Sequence, residues 1–514
     1  MELRDYQIKQ MEFLKSKVSN NSKKLFNTNC SLESCTGSGK SIVMLEFIKD
    51  YFSNHSGKKI FLSTGFNKLV FQIYETALDM GLPVTILIGR NRCLCKKRYD
   101  GFPKLSEVFT LDNTHTASAK KCASCEYVKT TECYYNYVIE SIENSKENML
   151  IITNHSTLIL KEDFFYRNTI GGFIDECQTF GDFYESSMKI EVPYNELKSI
   201  LWFIKRDSFT SKNSLLVSAY ELNMNKGTLT VDTMSKVLNM ATSKKNRRGE
   251  TLSVAKFFPT ASNEVTKWAS ASNNDKSVYV HPQIEDGQHI GLLVDKFFIK
   301  TNLPMNVCLV SATVDSYTKS IFSLNNPANN YVETNCDIID YSKSNCFIYD
   351  DFTMDNIKKF ISLQTKNHGL LLSTRLDIVE EMKELSVIDG YEIITSQEQF
   401  VDGEKQILVG SKSLFQGVDI QGINFVLINK LPFQRFDESY KKKMLYFDSE
   451  GLKSYQYYTI PYTTNQCIQA MGRLWRRAGD YGNVAIFDGR ALNKHRRILN
   501  DALSYRSGMN LIKG

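Results

Sequence analysis

Apolar runs and polar stretches alternate along this chain in two separate sets, each reading as strands interleaved with helices. Leu3 to Lys15 carries Tyr6, Met11 and Leu14 at helical spacing, with Arg4 and Gln7 toward one side. Ser41 to Phe52 repeats the period with Met44, Phe47, Ile48 and Tyr51 on one face. Lys59 to Thr64 then reads as a buried strand and Lys68 to Met80 as the helix after it. This β-α-β-α order predicts a parallel sheet whose ligand lies at the C-terminal ends of its strands. From Gly89 to Asn148 polar, Lys-rich, cysteine-bearing sequence replaces the alternation, which marks a small inserted module. The sheet resumes at Met149 to Thr153 and at Gly172 to Glu176. A second insertion, from about 185 to 295, holds amphipathic stretches and the basic run Lys244 to Arg248. Val307 to Thr313 returns to the first sheet. Gly369 to Thr374, Gln406 to Gly410, Phe425 to Ile428 and Val484 to Phe487 then predict a second α/β domain.

Composition narrows the class without deciding it. The 514 residues suffice for several domains, and 42% hydrophobic with 23% charged residues is ordinary for a water-soluble protein. No apolar run reaches the roughly 18 residues of a membrane span, and the opening Met1 to Tyr6 has no signal-peptide pattern. The expected location is the cytoplasm, that of a host cell if the Asn/Lys-rich chain is phage-encoded. A net charge of +6 is compatible with a polyanionic partner and too mild to prove one. Twelve cysteines in a cytosolic chain argue against a disulfide framework, and five of them fall between Cys93 and Cys133.

The chemistry begins at Glu33-Ser-Cys-Thr-Gly-Ser-Gly-Lys-Ser41. Successive backbone N–H groups of Ser34, Cys35, Thr36, Gly37, Ser38 and Gly39 form an anion cradle at the positive end of the next helix. Lys40 is expected on the β/γ-phosphates of a nucleotide and Ser41 on Mg²⁺. Ser34 occupies the place where a general phosphate-binding loop has glycine. Asp175-Glu176 closes an apolar strand, where a nucleotide hydrolase puts a Mg²⁺-coordinating carboxylate beside one that orients the attacking water. Thr464 to Arg477 reads as a helix with Gln469, Arg473 and Arg476 at i, i+4 and i+7. Such a face can deliver two guanidinium groups to a γ-phosphate, coupling hydrolysis to domain closure.

In their order along the chain these motifs resemble the XPD/DinG branch of superfamily 2 helicases. Arg4-x-x-Gln7 resembles the adenine-side motif, Glu33 to Ser41 motif I, and Ser63-Thr64 with Leu69 and Gln72 motif Ia. Thr153-Asn154-His155 matches the segment before motif II. Asp175-Glu-Cys-Gln178 is a DEAH-box variant with Gln178 in place of histidine, Ser311 to Thr313 is motif III, and Gly410 to Gly422 with Asp419 is motif V. Lys430 to Phe433, Gln469 to Arg476, Asp480-x-Gly482 and Asp488-x-Arg490 follow in the family order. The resemblance implies an α/β fold of two RecA-like parallel-sheet domains. Lobe 1 would comprise 1–88, 149–184 and 296–335. Inserted in it would be an iron-sulfur module at 89–148 and an arch-like helical domain at 185–295, with lobe 2 at 336–514. It also implies Asp419 at the ATP site and Thr64, Asn154 and His155 on DNA.

Gly89-Arg90 leading to Cys95, then Cys122-x-x-Cys125 and Cys133, is similar to the four-thiolate site of this branch. By spacing alone four thiolates suit either tetrahedral Zn²⁺ or [4Fe-4S]; the resemblance favours the cluster. Cys93 is a fifth candidate. Lys96-Lys97-Arg98, Lys120-Lys121 and the run from Lys244 offer a basic track, and Tyr127, Tyr134, Tyr135 and Tyr137 possible stacking faces. The expected function is an ATP-dependent DNA helicase moving on single strands or at junctions, 5′ to 3′ by resemblance. The alternatives are an RNA or RNA–DNA hybrid remodelling ATPase and a non-enzymatic nucleic-acid clamp. A nuclease-coupled motor is disfavoured, because only 39 residues precede Lys40.

Overall fold

The computed structural model describes residues 3–35, 37–97, 103, 107–111, 116, 125–130, 132–193, 195, 198, 218, 220–221, 223, 277–285, 288–301, 303–333, 339–411, 422–475 and 479–514. Thr36, Cys122, Asp419 and Arg476, together with Arg98, Lys120, Lys121 and the run from Lys244, lie outside the described residues.

The described chain forms two compact units. In the first, β1 (Cys30–Ser34), β2 (Lys59–Thr64), β3 (Val84–Ile86), β4 (Met149–Asn154) and β5 (Gly172–Asp175) join two later strands in one parallel sheet. The second unit, Tyr184–Ile299 with Arg435–Tyr455, holds β6 (Ile190–Pro193), β7 (Val278–Glu285) and β8 (Gln288–Lys296), paired antiparallel in the order β6-β8-β7. Back in the first unit, β9 (Val307–Ser311) and β10 (Asn330–Glu333) complete the seven-stranded sheet in the order β10-β1-β9-β5-β2-β4-β3. Its strands are continuous apolar runs because helices cover a parallel sheet on both faces. β1, β9 and β5 are buried at every position. Gly172 lets β5 approach β2: a Cβ there would meet Phe61 O at 2.0 Å.

The second alternating set forms its own sheet in the same unit. Its strands are β11 (Asn345–Tyr349), β12 (His368–Leu372), β13 (Val387–Ile388), β14 (Tyr391–Ile394), β15 (Gln406–Gly410), β16 (Phe425–Ile428), β17 (Asn483–Phe487) and β18 (Asn510–Lys513). The order is β13-β14-β15-β12-β16-β17-β11-β18, parallel except for the β13–β14 hairpin. Leu370, Leu372, Val426, Ile428, Val484 and Ile486 point to one buried face, packed with Ile468, Met471 and Trp475. Leu371, Val409, Phe425, Leu427, Ala485 and Phe487 point to the other, packed with Ile357 and Phe360. The period of two in these strands thus separates two cores, one per face.

Within the second unit the helix Glu438–Ser449 packs on the antiparallel sheet. Ser439 Oγ donates to Asp295 Oδ2, Lys443 pairs with Glu185, and the rings of Phe297 and Tyr446 lie 6.1 Å apart. No described helix is long and apolar enough to cross a membrane.

Candidate active site

β1 ends at Ser34, and the chain turns through the glycine-rich loop into the helix Lys40–Asn54. Gly39 is the N-cap, with φ +77, a backbone conformation that favours glycine, and a Cβ there would push aside the Gln7 amide 2.7 Å away. Ser34, fully buried, donates from Oγ to Ser38 Oγ at 2.9 Å and accepts from Gln10 Nε2 at 2.9 Å. A hydroxyl in place of the usual glycine therefore braces the loop from within. Lys40 Nζ donates to the carbonyl oxygens of Ser34 and Cys35, each at 3.0 Å, which folds the ammonium over the loop. Half-buried Ser41 follows on the first helical turn.

The helix Asp5–Lys17 supports the loop from outside. Gln7 Nε2 and Tyr6 OH both donate to Ser38 O at 3.0 Å, and Arg4 N donates to Gln7 Oε1 at 3.0 Å, leaving the Arg4 side chain exposed. Gln10 was not singled out in the sequence, although its i+3 spacing from Gln7 places it on the same helical face.

Asp175 sits at the C-terminal end of β5, next to β9 and two strands from the phosphate loop. Burial, then the neighbouring Glu176 carboxylate, push its carboxyl up to about 7, while Lys40 draws it back down. Lys40 and Asp175 are thus near enough to interact electrostatically. Glu176 has φ 53, a left-handed conformation uncommon for a residue with a side chain. Its N–H donates to Asp175 Oδ1 at 3.0 Å. Gln178 Nε2 donates to Glu176 Oε2 at 2.5 Å, and Gln178 Oε1 accepts from Ser311 Oγ, which in turn accepts from Thr313 N at 3.0 Å. The glutamine found where the family has histidine therefore joins the second acidic residue to the Ser311–Thr313 segment.

The second lobe meets the first at polar contacts as well. Asn465, on the helix Ile460–Met471, donates to the buried carboxylate of Asp315, and Tyr505 OH donates to Glu33 Oε1 at 2.7 Å. Of these four, only Glu33 was singled out in the sequence, as the first residue of the phosphate-loop motif; Asp315 also caps the next helix by accepting from Thr318 N. The predicted helix through Arg477 needs correction. It ends at Met471 with Gly472 as C-cap, since glycine is a poor interior residue, so Gln469 lies on the helix and Arg473 in the turn beyond it. Arg473 is buried at 3% exposure.

Comparison with known proteins agrees with this geometry. Residues 353–505 match the helicase C-terminal domain family, and residues 1–177 match the type III restriction enzyme, res subunit, family. The 3'-5' exonuclease DinG of Staphylococcus haemolyticus (strain JCSC1435) is 30% identical over 187 residues, covering 34% of this chain and 20% of that protein. The protein of the same name from Staphylococcus epidermidis is 30% identical over 190 residues, covering 34% and 21%. The alignment therefore spans about a fifth of these curated relatives. A solved XPD helicase superposes with a TM-score of 0.59 at 13% identity over 100% of both chains. Xpd4 of S. tokodaii gives 0.55 at 11% identity over 99% of this chain and 100% of that one. This chain is thus XPD/DinG-like, in sequence over part of its length and in fold over all of it.

Two of the residues expected on DNA in this XPD/DinG-like chain are placed otherwise. Thr64 and His155 are fully buried, so neither side chain can reach a strand. His155 Nδ1 lies 2.8 Å from Ser63 Oγ, its ring packs against Phe180 and Phe183, and burial holds its pKa down at about 3. It is a neutral packing residue beneath the acidic pair. Asn154 is half-buried; it caps the helix His155–Leu160 through Thr157 N and donates to Asn67 Oδ1 at 2.7 Å.

The XPD/DinG-like cysteine module is partly described. Cys95, Cys125 and Cys133 line one small pocket with buried Cys93, beside Arg90, Lys96 and Lys97. Cys133 is also the N-cap of the helix Tyr134–Asn144. Arg90 lies over the Tyr135 ring at 4.8 Å. Among the described residues no three His, Cys, Asp or Glu side chains draw together closely enough to hold one metal ion.

Proposed function

We propose that the chain is an ATP-dependent helicase that moves along single-stranded DNA, 5′ to 3′, through Mg-ATP hydrolysis between its two lobes. The observation that carries this reading is that Lys40, just after β1, and Asp175, at the end of β5, stand at the same edge of one parallel sheet, on a lobe tied to the second by Asn465–Asp315. Lys40 would bind the β/γ-phosphates; its present carbonyl bonds are ones that an incoming phosphate replaces. Ser41 and Asp175 would hold Mg²⁺, which neutralises charge on the phosphates when bound. Glu176 would position the attacking water, with its carboxylate fixed through Gln178. Arg473 and Arg476 would supply the second lobe's positive charge, while Arg4, Gln7, Asp419 and Gln469 complete the nucleotide pocket. Asn154 remains the candidate DNA contact at this end of lobe 1.

The domain division 1–88, 89–148, 149–184, 185–295, 296–335 and 336–514 belongs to the same proposal, as does a cytoplasmic place of action. So does the cysteine module: Cys95, Cys122, Cys125 and Cys133 would hold [4Fe-4S], an electron-accepting group whose potential depends on burial and nearby charge. Iron and zinc counts on anaerobically purified protein test this, and one zinc without iron would overturn it. The motor reading is tested by DNA-stimulated ATP hydrolysis in Lys40→Ala and Glu176→Gln. Both variants are expected to lose turnover at least a hundredfold, an order of magnitude ordinary for lost transition-state groups; retained turnover in both rejects the site. Competition between matched DNA and RNA strands decides the substrate, and preference for RNA would overturn the DNA assignment.

A further inference from the structure

Because the first sheet is parallel, the starts of its strands gather on the edge opposite the phosphate loop and Asp175. There a cavity of about 700 Å³ opens between the turn at Asn21, the start of β2 and the segments leading into β5 and β9. That volume lies within the range of ligand sites. Its walls carry Lys23, Lys24, Lys58, Lys59 and Arg167, opposed among the lining residues only by the carboxylate of Glu143. Two of these cations are anchored: Lys58 Nζ donates to Ser22 O at 3.0 Å, and Lys59 Nζ to the carbonyls of Ile142 and Glu143. Lys23, Lys24 and Arg167 present exposed side chains, and Tyr166 stands beside them, 55% exposed.

Five cations around one concavity repel one another, and a polyanion relieves that repulsion while releasing its own counterions. Five cations on one wall set offer more charge than a single phosphate would neutralise, which fits several phosphates in series better than one. An exposed aromatic ring beside such a track is the combination that holds single strands, with phosphates on the cations and a base on the ring.

We infer that this cavity is an accessory site for single-stranded nucleic acid, separate from the ATP site. Lys23, Lys24, Lys58 and Arg167 take consecutive phosphates, and Tyr166 stacks a base. The ligand class rests on the nucleic-acid reading above; the location does not. A strand held here is gripped on the far side of lobe 1 from the hydrolysis chemistry, so it contributes affinity without entering the catalytic step.

The test uses the full chain and a fluorescein-labelled oligothymidylate followed by anisotropy. Lys24→Glu/Arg167→Glu is expected to weaken binding at least tenfold and to reduce the slope of log K against log salt by about 1.4, the value for two lost single-strand phosphate contacts. ATP hydrolysis without nucleic acid should be unchanged. An iododeoxyuridine-substituted strand should photocrosslink to the peptide containing Tyr166, and Tyr166→Ala should abolish that product. Unchanged affinity and salt slope in a variant that melts like the parent would overturn the site while leaving the motor reading intact. Displacement of the crosslink by free ATP in a Lys40→Ala background would overturn it in favour of a mononucleotide pocket. Failure of the parent protein to bind the strand at all would overturn both.

Discussion

Asp175 gives the candidate site a pH signature of its own. Its folded-state pKa, about 7, lies above the ordinary carboxylate value of 3.8 because burial and Glu176 disfavour the ionised form. The folded protein therefore holds that proton more tightly than the unfolded chain does. The corresponding stability is fully present below the unfolded pKa and is lost as pH rises through the folded one. Without magnesium, Asp175→Asn should thus raise the melting midpoint by about 4 °C or more near pH 8, and by less near pH 5. Magnesium should narrow the gap by stabilising the parent protein; a midpoint difference independent of pH would contradict the assignment. His155 shows the opposite dependence, since a histidine whose pKa is held down near 3 destabilises the fold as pH falls below 6.5. It also shows what residue identities alone could not convey. The Thr153-Asn154-His155 string was legible as a motif, but burial is a property of the packed chain, and Phe180 and Phe183 seal the histidine from solvent.

At the level of elements, Gln178, in the turn after β5, links that turn to the end of the neighbouring strand β9. Each of its amide atoms has a distinct partner, the NH₂ on Glu176 and the oxygen on Ser311, so one side chain fixes both ends. Gln178→Ala removes both bonds at once, and one of them is made to a carboxylate. A lost hydrogen bond to a charged group costs about 1.5–3 kcal/mol, so strand-stimulated turnover should fall about tenfold or more. The KM for ATP should stay within about twofold, because Gln178 does not bind the phosphate loop. A rise in KM with unchanged kcat would place the effect elsewhere. The strands themselves were readable from their apolar runs, and so was the order of the two sheets' segments along the chain. Helix ends were less so: Ile460–Met471 stops at Gly472, whereas polar spacing extended it to Arg477. Apolar period records which face is buried and says little about where the backbone leaves the helix.

Across the whole first unit, the two sheets are joined by contacts that neither sheet's own pattern announces. Tyr505 reaches Glu33 at 2.7 Å, and Asn465 reaches Asp315, whose carboxyl is pushed up by burial and partly restored by Thr318 and Asn465. Both acceptors belong to lobe 1 and both donors to lobe 2, so both bonds favour the same lobe arrangement. Asn465→Ala leaves a buried carboxylate short of a donor, at about 1.5–3 kcal/mol, and Tyr505→Phe removes the nearer partner of Glu33 and leaves Lys319 at 3.6 Å. If ATP binds the joined state preferentially, each substitution should raise its apparent KM by the fraction of molecules displaced from that state. The double variant discriminates between a shared equilibrium and two local defects. While the joined state still dominates, one substitution has little effect on KM; once it no longer does, the next acts in full, so the pair should exceed the product of the singles. Lobe-to-lobe distances from paired fluorophores should broaden in step with KM. A double variant whose KM equals the product of the singles, with unbroadened distances, would mean that each bond acts only on its own neighbourhood.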